Sequence, residues 1–271
     1  MASSTRSITI TKYSTGESSS QEDALSVEEP LEIGVRFGLN LEPKNLSVTM
    51  RTPGHDEELA LGFLLTEGII SSYEQVIGTV QDEENRITVI LHEEVPFDPK
   101  QFERHIYTTS SCGICAKSSI EAVRVQGTLP HAPQNWSVEA STLYPLPSLL
   151  RERQADFEST GGLHAAALFS QTGEFLYLRE DVGRHNALDK LIGHALQTER
   201  YPLQTQILLL SGRASFELIQ KATLAGLSFV AAVGAPSTLA VELAREMNIT
   251  LVGFLRNERF NVYTGEERVK G

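Results

Sequence analysis

The chain is short of cysteine, of tryptophan and of positive charge. Cys112 and Cys115 are its two cysteines and belong to a single CxxC, which excludes a disulfide framework and favours a reducing compartment. Lys and Arg number 23 against 35 Asp and Glu, for a formal charge of −12. A general nucleic-acid binder needs a basic surface, so we expect no nucleic-acid partner.

Long hydrophobic runs are also missing. Runs such as 207–210 and 229–233 are far shorter than the ~20 residues that span a bilayer, and the first twenty residues contain no apolar core of a signal peptide. The sequence therefore predicts a cytoplasmic protein without a membrane segment. A hydrophobic content of 41% and a charged content of 21% are typical of a folded globular chain.

The length of 271 residues suggests two domains after a short polar N-terminal segment. Residues 1–26 are polar and rich in Ser and Thr, and we expect them to be mostly mobile, although Ile8-Thr9-Ile10 alternates as an edge strand would. Residues 27–139 contain alternating strand patterns around one helix, which predicts a small α+β domain that carries the CxxC. The stretch 130–147 contains four prolines, which is typical of a linker and places the domain boundary near residue 140.

Residues 140–271 show a different pattern. Continuous apolar strands, such as 207–210 and 229–233, alternate with amphipathic helices, such as 216–224, and a helix from about 146 to 157 is predicted before them. Parallel strands buried on both faces have this composition, so the second domain is predicted to be α/β.

The CxxC precedes Ser118-Ser119-Ile120-Glu121, which has the pattern of a capping box at the start of a helix. A helix N-terminus and the nearby Lys117 would lower the pKa of a thiol and increase the thiolate fraction. Three chemistries then compete for the cysteines. A zinc site would need further ligands, from His164 or from another subunit, because the chain has no second CxxC. A thioredoxin-like dithiol normally follows the first strand of a βαβ unit, whereas this CxxC follows a predicted hairpin. A sulfur carrier needs only one accessible thiolate.

Three loops of the second domain follow predicted strands. In an open α/β sheet such loops meet at the carboxyl edge, where helix N-termini and arginines suit an anionic, phosphate-bearing ligand. The candidate groups are Arg213, Ser215, Ser237, Arg256 and Arg259.

Two histidines lie at glycine-containing junctions. His164 follows Thr160-Gly161-Gly162-Leu163, and His185 follows Asp181-Val182-Gly183-Arg184. Each could contact a phosphate or donate a proton. Asp181, Arg184 and His185 could equally form a salt-bridge network at the start of a helix.

Six ordered blocks of the chain resemble the FdhD/NarQ formate dehydrogenase accessory sulfurtransferases, over roughly residues 28–265. The blocks are 51–63, Ser111-Cys112-Gly113-Ile114-Cys115, 160–164, 180–190, Ser211-Gly212-Arg213 and 253–259.

This resemblance implies a cytoplasmic, homodimeric sulfur carrier. It would accept sulfur from a cysteine desulfurase and transfer it to the bis(molybdopterin guanine dinucleotide) molybdenum cofactor of formate dehydrogenase. Cys112 would hold the persulfide and Cys115 would assist. The resemblance also implies a C-terminal domain similar to the cytidine deaminase fold, and no zinc. The family's cofactor-binding stretch corresponds to Phe254, Leu255, Arg256, Asn257, Glu258 and Arg259.

Two rival functions remain open. One is a zinc-dependent, deaminase-like hydrolase that uses Cys112, Cys115 and His164, although the H-x-E of zinc deaminases is missing because His164 is followed by two alanines. The other is a non-catalytic molybdenum-cofactor chaperone that binds the dinucleotide and docks on the dehydrogenase.

Overall fold

The computed structural model describes residues 3–38, 42–96, 136–198 and 200–271. The fold is mixed α and β, with several sheets. Within these residues, no helix is both long enough and apolar enough to cross a bilayer.

The first element is an exposed hairpin. Strands β1 (Thr5–Ser14) and β2 (Glu17–Ser26) pair antiparallel around Thr15 and Gly16, whose φ angles of 45° and 90° suit the tight turn of a hairpin. The sequence predicted a mostly mobile segment here, and the structure forms paired strands instead. Ser and Thr are compatible with strand pairing, but a sequence pattern based on buried apolar residues does not detect strands made of these polar side chains.

The first sheet has four strands in the order β4-β3-β6-β5. Strands β3 and β6 are parallel, and the other two pairs are antiparallel. Helix α1 connects β4 to β5 and packs on the sheet. The elements are β3 (Glu29–Phe37), β4 (Lys44–Arg51), α1 (Asp56–Thr66), β5 (Val76–Glu83) and β6 (Arg86–Leu91).

The second half begins with short elements and then forms the larger sheet. Strand β7 (Val138–Glu139) precedes three short helices, α2 (Ala140–Leu143), α3 (Leu146–Arg151) and α4 (Ala155–Thr160). The remaining elements are β8 (His164–Phe169), β9 (Phe175–Asp181), α5 (Arg184–Gln197), β10 (Ile207–Leu210), α6 (Phe216–Leu224), β11 (Phe229–Ala232), α7 (Thr238–Glu246), β12 (Thr250–Arg256), β13 (Arg259–Thr264) and β14 (Val269–Lys270).

The larger sheet has the order β13-β12-β11-β10-β8-β9. Its centre, β10 to β12, is parallel, whereas β8, β9 and β13 run antiparallel to their neighbours. Alternate residues serve two cores: Leu208 and Leu210 face α5 and α6, while Ile207 and Leu209 face α2 and α3. Both faces of the sheet are therefore covered, as the continuous apolar strands predicted.

One hydrophobic core joins the two halves of the chain. It contains Leu31 and Ile33 of the first sheet, Leu61 of α1, Leu188 of α5 and Leu208 of the second sheet. The layers run sheet, helix, helix, sheet. The boundary predicted near residue 140 therefore separates two sheets that share a core.

Helices α1 and α5 approach closely because each has a glycine at the crossing. A Cβ on Gly62 would lie 1.9 Å from the Asp189 carbonyl oxygen, and one on Gly193 would lie 1.8 Å from the Glu58 carbonyl oxygen. Neither distance is possible for real atoms. The two glycines thus set the spacing between the halves.

Candidate functional site

The loops after β10, β11 and β12 are hydrogen-bonded to one another. The Gly234 N–H donates to the Gly212 carbonyl oxygen at 2.9 Å, and the Phe254 N–H donates to the Gly234 carbonyl oxygen at 3.0 Å. The Ser237 N–H likewise donates to Ala214 at 3.0 Å. The three loops therefore form one surface, here called the carboxyl edge, as the parallel strand order led us to expect.

Two glycines make this close packing possible. A Cβ on Gly234 would lie 2.9 Å from the Gly212 carbonyl oxygen, and one on Gly253 would lie 2.8 Å from Cδ of Pro236. Both distances are shorter than real contacts of this kind. A side chain at either position would push the loops apart.

Three arginines extend from the carboxyl edge into solvent. Arg213, Arg256 and Arg259 are exposed, and no ion pair joins any of them to a carboxylate of the described residues. In a chain of charge −12, exposed arginines that no carboxylate of the described part of the chain neutralises are suited to bind an anion.

The turn between β12 and β13 brings two of these arginines together. Arg256 and Arg259 are directly paired across Asn257 and Glu258, both of which have a φ of 53°. Like charges directly opposite each other repel, and an anion between them would remove that repulsion. Phe254 also has a left-handed backbone, with a φ of 55°, which is unusual for a bulky residue and concentrates strain at this loop.

Two predicted site residues have structural roles. Leu255 has no exposed surface and packs in the core under α2 and α3, so only its backbone can contact a ligand. The Ser237 hydroxyl accepts a hydrogen bond from the Ala240 N–H at 3.2 Å and caps α7.

His164 lies in a cavity of about 490 Å³ beside the carboxyl edge. Burial lowers the pKa of this histidine, and the nearby Arg184 and His185 lower it further, so the neutral imidazole is favoured. The cavity is lined by Pro147, Leu150, Arg151, Gln154, Phe157, Gly161, Gly162, Leu163, His164, Ser211, Gly212 and Val233.

His185 does not line this cavity. Its Nε2 atom lies 2.8 Å from Oε2 of Glu217 on α6, although the two groups are not aligned as a hydrogen bond. The structure thus places the two predicted histidines in different surroundings.

The salt-bridge network considered for Asp181, Arg184 and His185 has different members. Asp181 is fully buried, and its carboxylate pairs with Nζ of Lys190 at 2.7 Å. It also accepts hydrogen bonds from the N–H groups of Thr52 and Gly183, at 3.1 and 2.8 Å. This network joins the start of α5 to the loop before α1, so its role is structural.

Sequence reasoning missed two further charged clusters between α1 and the second half. Glu58 pairs with Arg179 and His194, and Asp189 pairs with Lys221 at 2.9 Å. Burial alone would raise the pKa of Glu58, but hydrogen bonds from Arg179 and His55 lower it to about 2. The members lie far apart in sequence, so no local pattern could have shown these pairs.

The predicted catalytic residues, Cys112 and Cys115, lie outside the described residues. Their roles and their distance from the carboxyl edge stay predictions.

Comparison with known proteins decides the family. The model of the FdhD/NarQ family matches residues 27–270. The chain belongs to the FdhD/NarQ family. Sulfur carrier protein FdhD of Mycolicibacterium paratuberculosis is 48% identical over 96% of this chain and 97% of its own length. Sulfur carrier protein FdhD of Sulfurisphaera tokodaii is 39% identical over 92% of each chain.

A solved structure shows the same fold. It is a crystal structure from Desulfotalea psychrophila assigned to a formate dehydrogenase accessory protein, with a TM-score of 0.79 and 21% identity over 98% of this chain and all of the other. The expected resemblance to the FdhD/NarQ family is thus confirmed. These matches do not test the expected likeness to the cytidine deaminase fold, which stays a prediction.

Proposed function

We propose that this protein is a sulfur carrier for the maturation of formate dehydrogenase. The observation that carries the proposal is the match, over nearly the whole chain, with relatives named sulfur carrier protein FdhD. The proposed place of action is the cytoplasm, where thiols stay reduced.

The loading step uses Cys112. Its thiolate attacks the outer sulfur of a persulfide on a cysteine desulfurase. The sulfur–sulfur bond of the donor breaks, the desulfurase thiolate leaves, and Cys112 becomes the persulfide, so no net oxidation or reduction takes place. Cys115, as the chain's second cysteine, assists or resolves this persulfide.

The carboxyl edge binds the acceptor of the sulfur. We propose that this acceptor is the bis(molybdopterin guanine dinucleotide) molybdenum cofactor, bound as cargo through its phosphates. The exposed arginines support this role, because they have no acidic partner among the described residues and guanidinium groups bind phosphate oxygens through paired donors. Cys112 passes its sulfur to that cargo within one protomer or across a homodimer, and the finished cofactor passes to formate dehydrogenase.

Mass spectrometry of the intact protein tests the loading step. Incubation with a cysteine desulfurase and cysteine should add the mass of one sulfur atom, located on the peptide that contains Cys112 and removed by a thiol reductant. The Cys112→Ala variant should gain no mass, and the Cys115→Ala variant should still gain it. An absence of added mass on the wild-type protein contradicts the proposal.

A cofactor chaperone without sulfur chemistry is the competing function, because the arginines of the carboxyl edge could serve it equally well. The two differ in a cell that lacks its own accessory protein. Sulfur transfer requires that Cys112→Ala abolishes formate dehydrogenase activity, whereas a chaperone retains its function in this variant.

A further inference from the structure

Helix α4 belongs to neither hydrophobic core. None of its residues, Ala155–Thr160, is buried. Phe157 is its one large apolar side chain, and it is not a member of either core of the described residues. A helix of six residues is not stable in water by itself, since isolated helices need about 12–15 residues. Contacts outside the cores therefore hold α4 in place.

The N-terminal hairpin supplies the main contact. Among the described elements, α4 packs mainly against strand β2. The Ser26 hydroxyl donates to Oγ1 of Thr160 at 2.7 Å. A Cβ on Gly162, two residues after Thr160, would lie 3.0 Å from Oγ of Ser26, so the end of β2 lies directly against this glycine. The hairpin is thus in contact with the last residue of α4 and with the loop that follows it.

Two further attachments of α4 are polar. The Glu180 carboxylate on β9 accepts from the N–H groups of Asp156 and Phe157, at 3.4 and 3.1 Å. The Arg151 guanidinium lies 4.1 Å from the centre of the Phe157 ring. A segment with few buried apolar contacts opens more readily than a packed core, so α4 belongs to the low-stability part of this fold.

The ends of α4 favour movement of the helix as a unit. Gly161 follows it with a φ of 67°, a left-handed conformation that suits glycine. A Cβ on Gly161 would have no atom within 4 Å, so no neighbouring group restricts this residue. Gln154, directly before the helix, is buried and fixes the start of the segment. The helix can therefore rotate about Gly161 and Gly162 without disturbing a core.

This weakly held helix closes one side of the cavity around His164. Phe157, Gly161 and Gly162 line the cavity together with His164. Rotation of α4 away from the cavity would remove the Phe157 ring from its wall. His164 would then become more accessible to solvent and to any ligand.

The hairpin has a firm anchor in the first sheet. Strand β2 ends at Ser26, and β3 begins at Glu29 and has Leu31 and Ile33 fully buried. The Val27 N–H donates to the Ser4 carbonyl oxygen at 2.8 Å and closes the base of the hairpin. The hairpin therefore connects a well-packed strand to a helix that lacks such packing.

We propose that residues 155–162 form a hinged lid on the His164 cavity, and that the hairpin of β1 and β2 is the strap that holds this lid closed. Release of the contact between Ser26 and Thr160 opens the cavity. The inference goes beyond the proposed function, because it concerns access to the cavity and does not depend on which ligand the cavity takes.

Hydrogen exchange of the full-length protein, followed by mass spectrometry, measures how often the lid opens. Ser26→Ala removes the donor of the hydrogen bond to Thr160 and should speed amide exchange within 156–162 about fivefold, the effect of about one net hydrogen bond. Ser7→Ala is the matched control. Ser7 lies on the same face of the hairpin, but its hydroxyl bonds to Glu22, so this variant should leave exchange in the lid unchanged.

A reversible cross-link holds the lid closed. The pair Ser26→Cys and Thr160→Cys, in a chain that also carries Cys112→Ser and Cys115→Ser, replaces two hydroxyl oxygens that lie 2.7 Å apart. Side chains this close are suited to a disulfide. We expect the cross-link to form on oxidation and to slow amide exchange within 156–162 severalfold.

Chemical modification of His164 then measures access to the cavity. Diethyl pyrocarbonate reacts with neutral imidazole, and peptide mapping locates the product. The cross-linked protein should be modified at His164 severalfold more slowly than the same protein after reduction and removal of the reductant. His55, whose side chain is 57% exposed, is the internal reference and should react equally in both states.

Any of three results overturns the inference: lid exchange that is equal in the wild type and Ser26→Ala, failure of the cross-link to form, or modification of His164 at the same rate with and without the cross-link. Failure of the lid is distinguishable from failure of the proposed function. Persulfide loading of Cys112 is measured by mass and needs no movement of residues 155–162.

Discussion

The carboxyl edge and the buried layer around helices α1 and α5 differ in how their charges are paired. In this buried layer, Asp181 pairs with Lys190, Glu58 with Arg179, and Asp189 with Lys221. At the carboxyl edge, the arginines are exposed and have no ion pair within the described residues. Buried charges require partners from the same chain, whereas exposed ones can be kept for a ligand. Pairing therefore distinguishes the charges that hold this fold from those available for function.

Removal of one buried partner should have the largest effect. Asp181→Ala leaves the Lys190 ammonium fully buried, with the Thr52 carbonyl oxygen at 2.7 Å as its one remaining partner among the described residues, and should lower the free energy of unfolding by about 3–5 kcal/mol. Urea denaturation measures this change. The double variant Asp181→Ala, Lys190→Met should recover part of the loss, and a single variant as stable as the wild type would remove the distinction between the two regions.

A substitution at the glycine crossing of α1 and α5 should have the next largest effect on stability. Gly193→Ala places a methyl against the Glu58 carbonyl oxygen and should destabilise the protein by about 1–3 kcal/mol, despite the better helix propensity of alanine. Gly78→Ala is the control, because a Cβ there has no atom within 4 Å. Thermal melting of the two variants should separate them, and equal melting temperatures would show that the helices are not held at this spacing.

A fall in pH should reveal how much the ionised Glu58 carboxylate contributes to the stability of the fold. Its pKa in the folded protein is about 2, below the ordinary value of 4.5, so its stabilisation is complete above about pH 4.5 and is lost as the pH falls toward 2. We expect a contribution of about 1–2 kcal/mol after screening by solvent.

The measurement is unfolding free energy against pH for the wild type and Glu58→Gln. The wild type should lose more stability than Glu58→Gln between pH 4.5 and 2. Glu57→Gln, at an exposed neighbouring position, should keep the wild-type slope. Parallel curves for the wild type and Glu58→Gln would contradict the assigned pKa.

The smallest effect on stability should come from the carboxyl edge. Arg256→Gln should change the free energy of unfolding by no more than about 0.5 kcal/mol, because the Arg256 side chain is exposed and its replacement removes the repulsion between the charges of Arg256 and Arg259. The same variant should bind pyrophosphate severalfold more weakly. A large loss of stability with unchanged pyrophosphate binding would reverse the roles of the two regions.

Much of the second half could be predicted from local patterns. The apolar run 207–210 and the helix 216–224 have the bounds that the sequence suggested, because hydrophobic period acts over short distances. The predicted helix from about 146 to 157 is two short helices, Leu146–Arg151 and Ala155–Thr160. Only the alternation at 8–10 indicated a strand within the hairpin at 5–26, because its strands have almost nothing to bury.

The candidate site was predictable only in part. Loops after parallel strands locate the arginines Arg213, Arg256 and Arg259 without knowledge of any side-chain position. The buried role of Leu255 and the cavity wall formed by Arg151 depend on how distant segments pack. No spacing in the sequence connects 146–160 to 211–212, so the cavity could not be found from motifs.

The shared core has a consequence for synthesis on the ribosome. Strand β3 and helix α1 leave the exit tunnel early, yet part of the core they belong to comes from α5 and from strands that are translated more than a hundred positions later. Until then the nascent chain exposes an apolar face that chaperones could recognise, and a message truncated before α5 should yield insoluble fragments rather than a smaller folded unit.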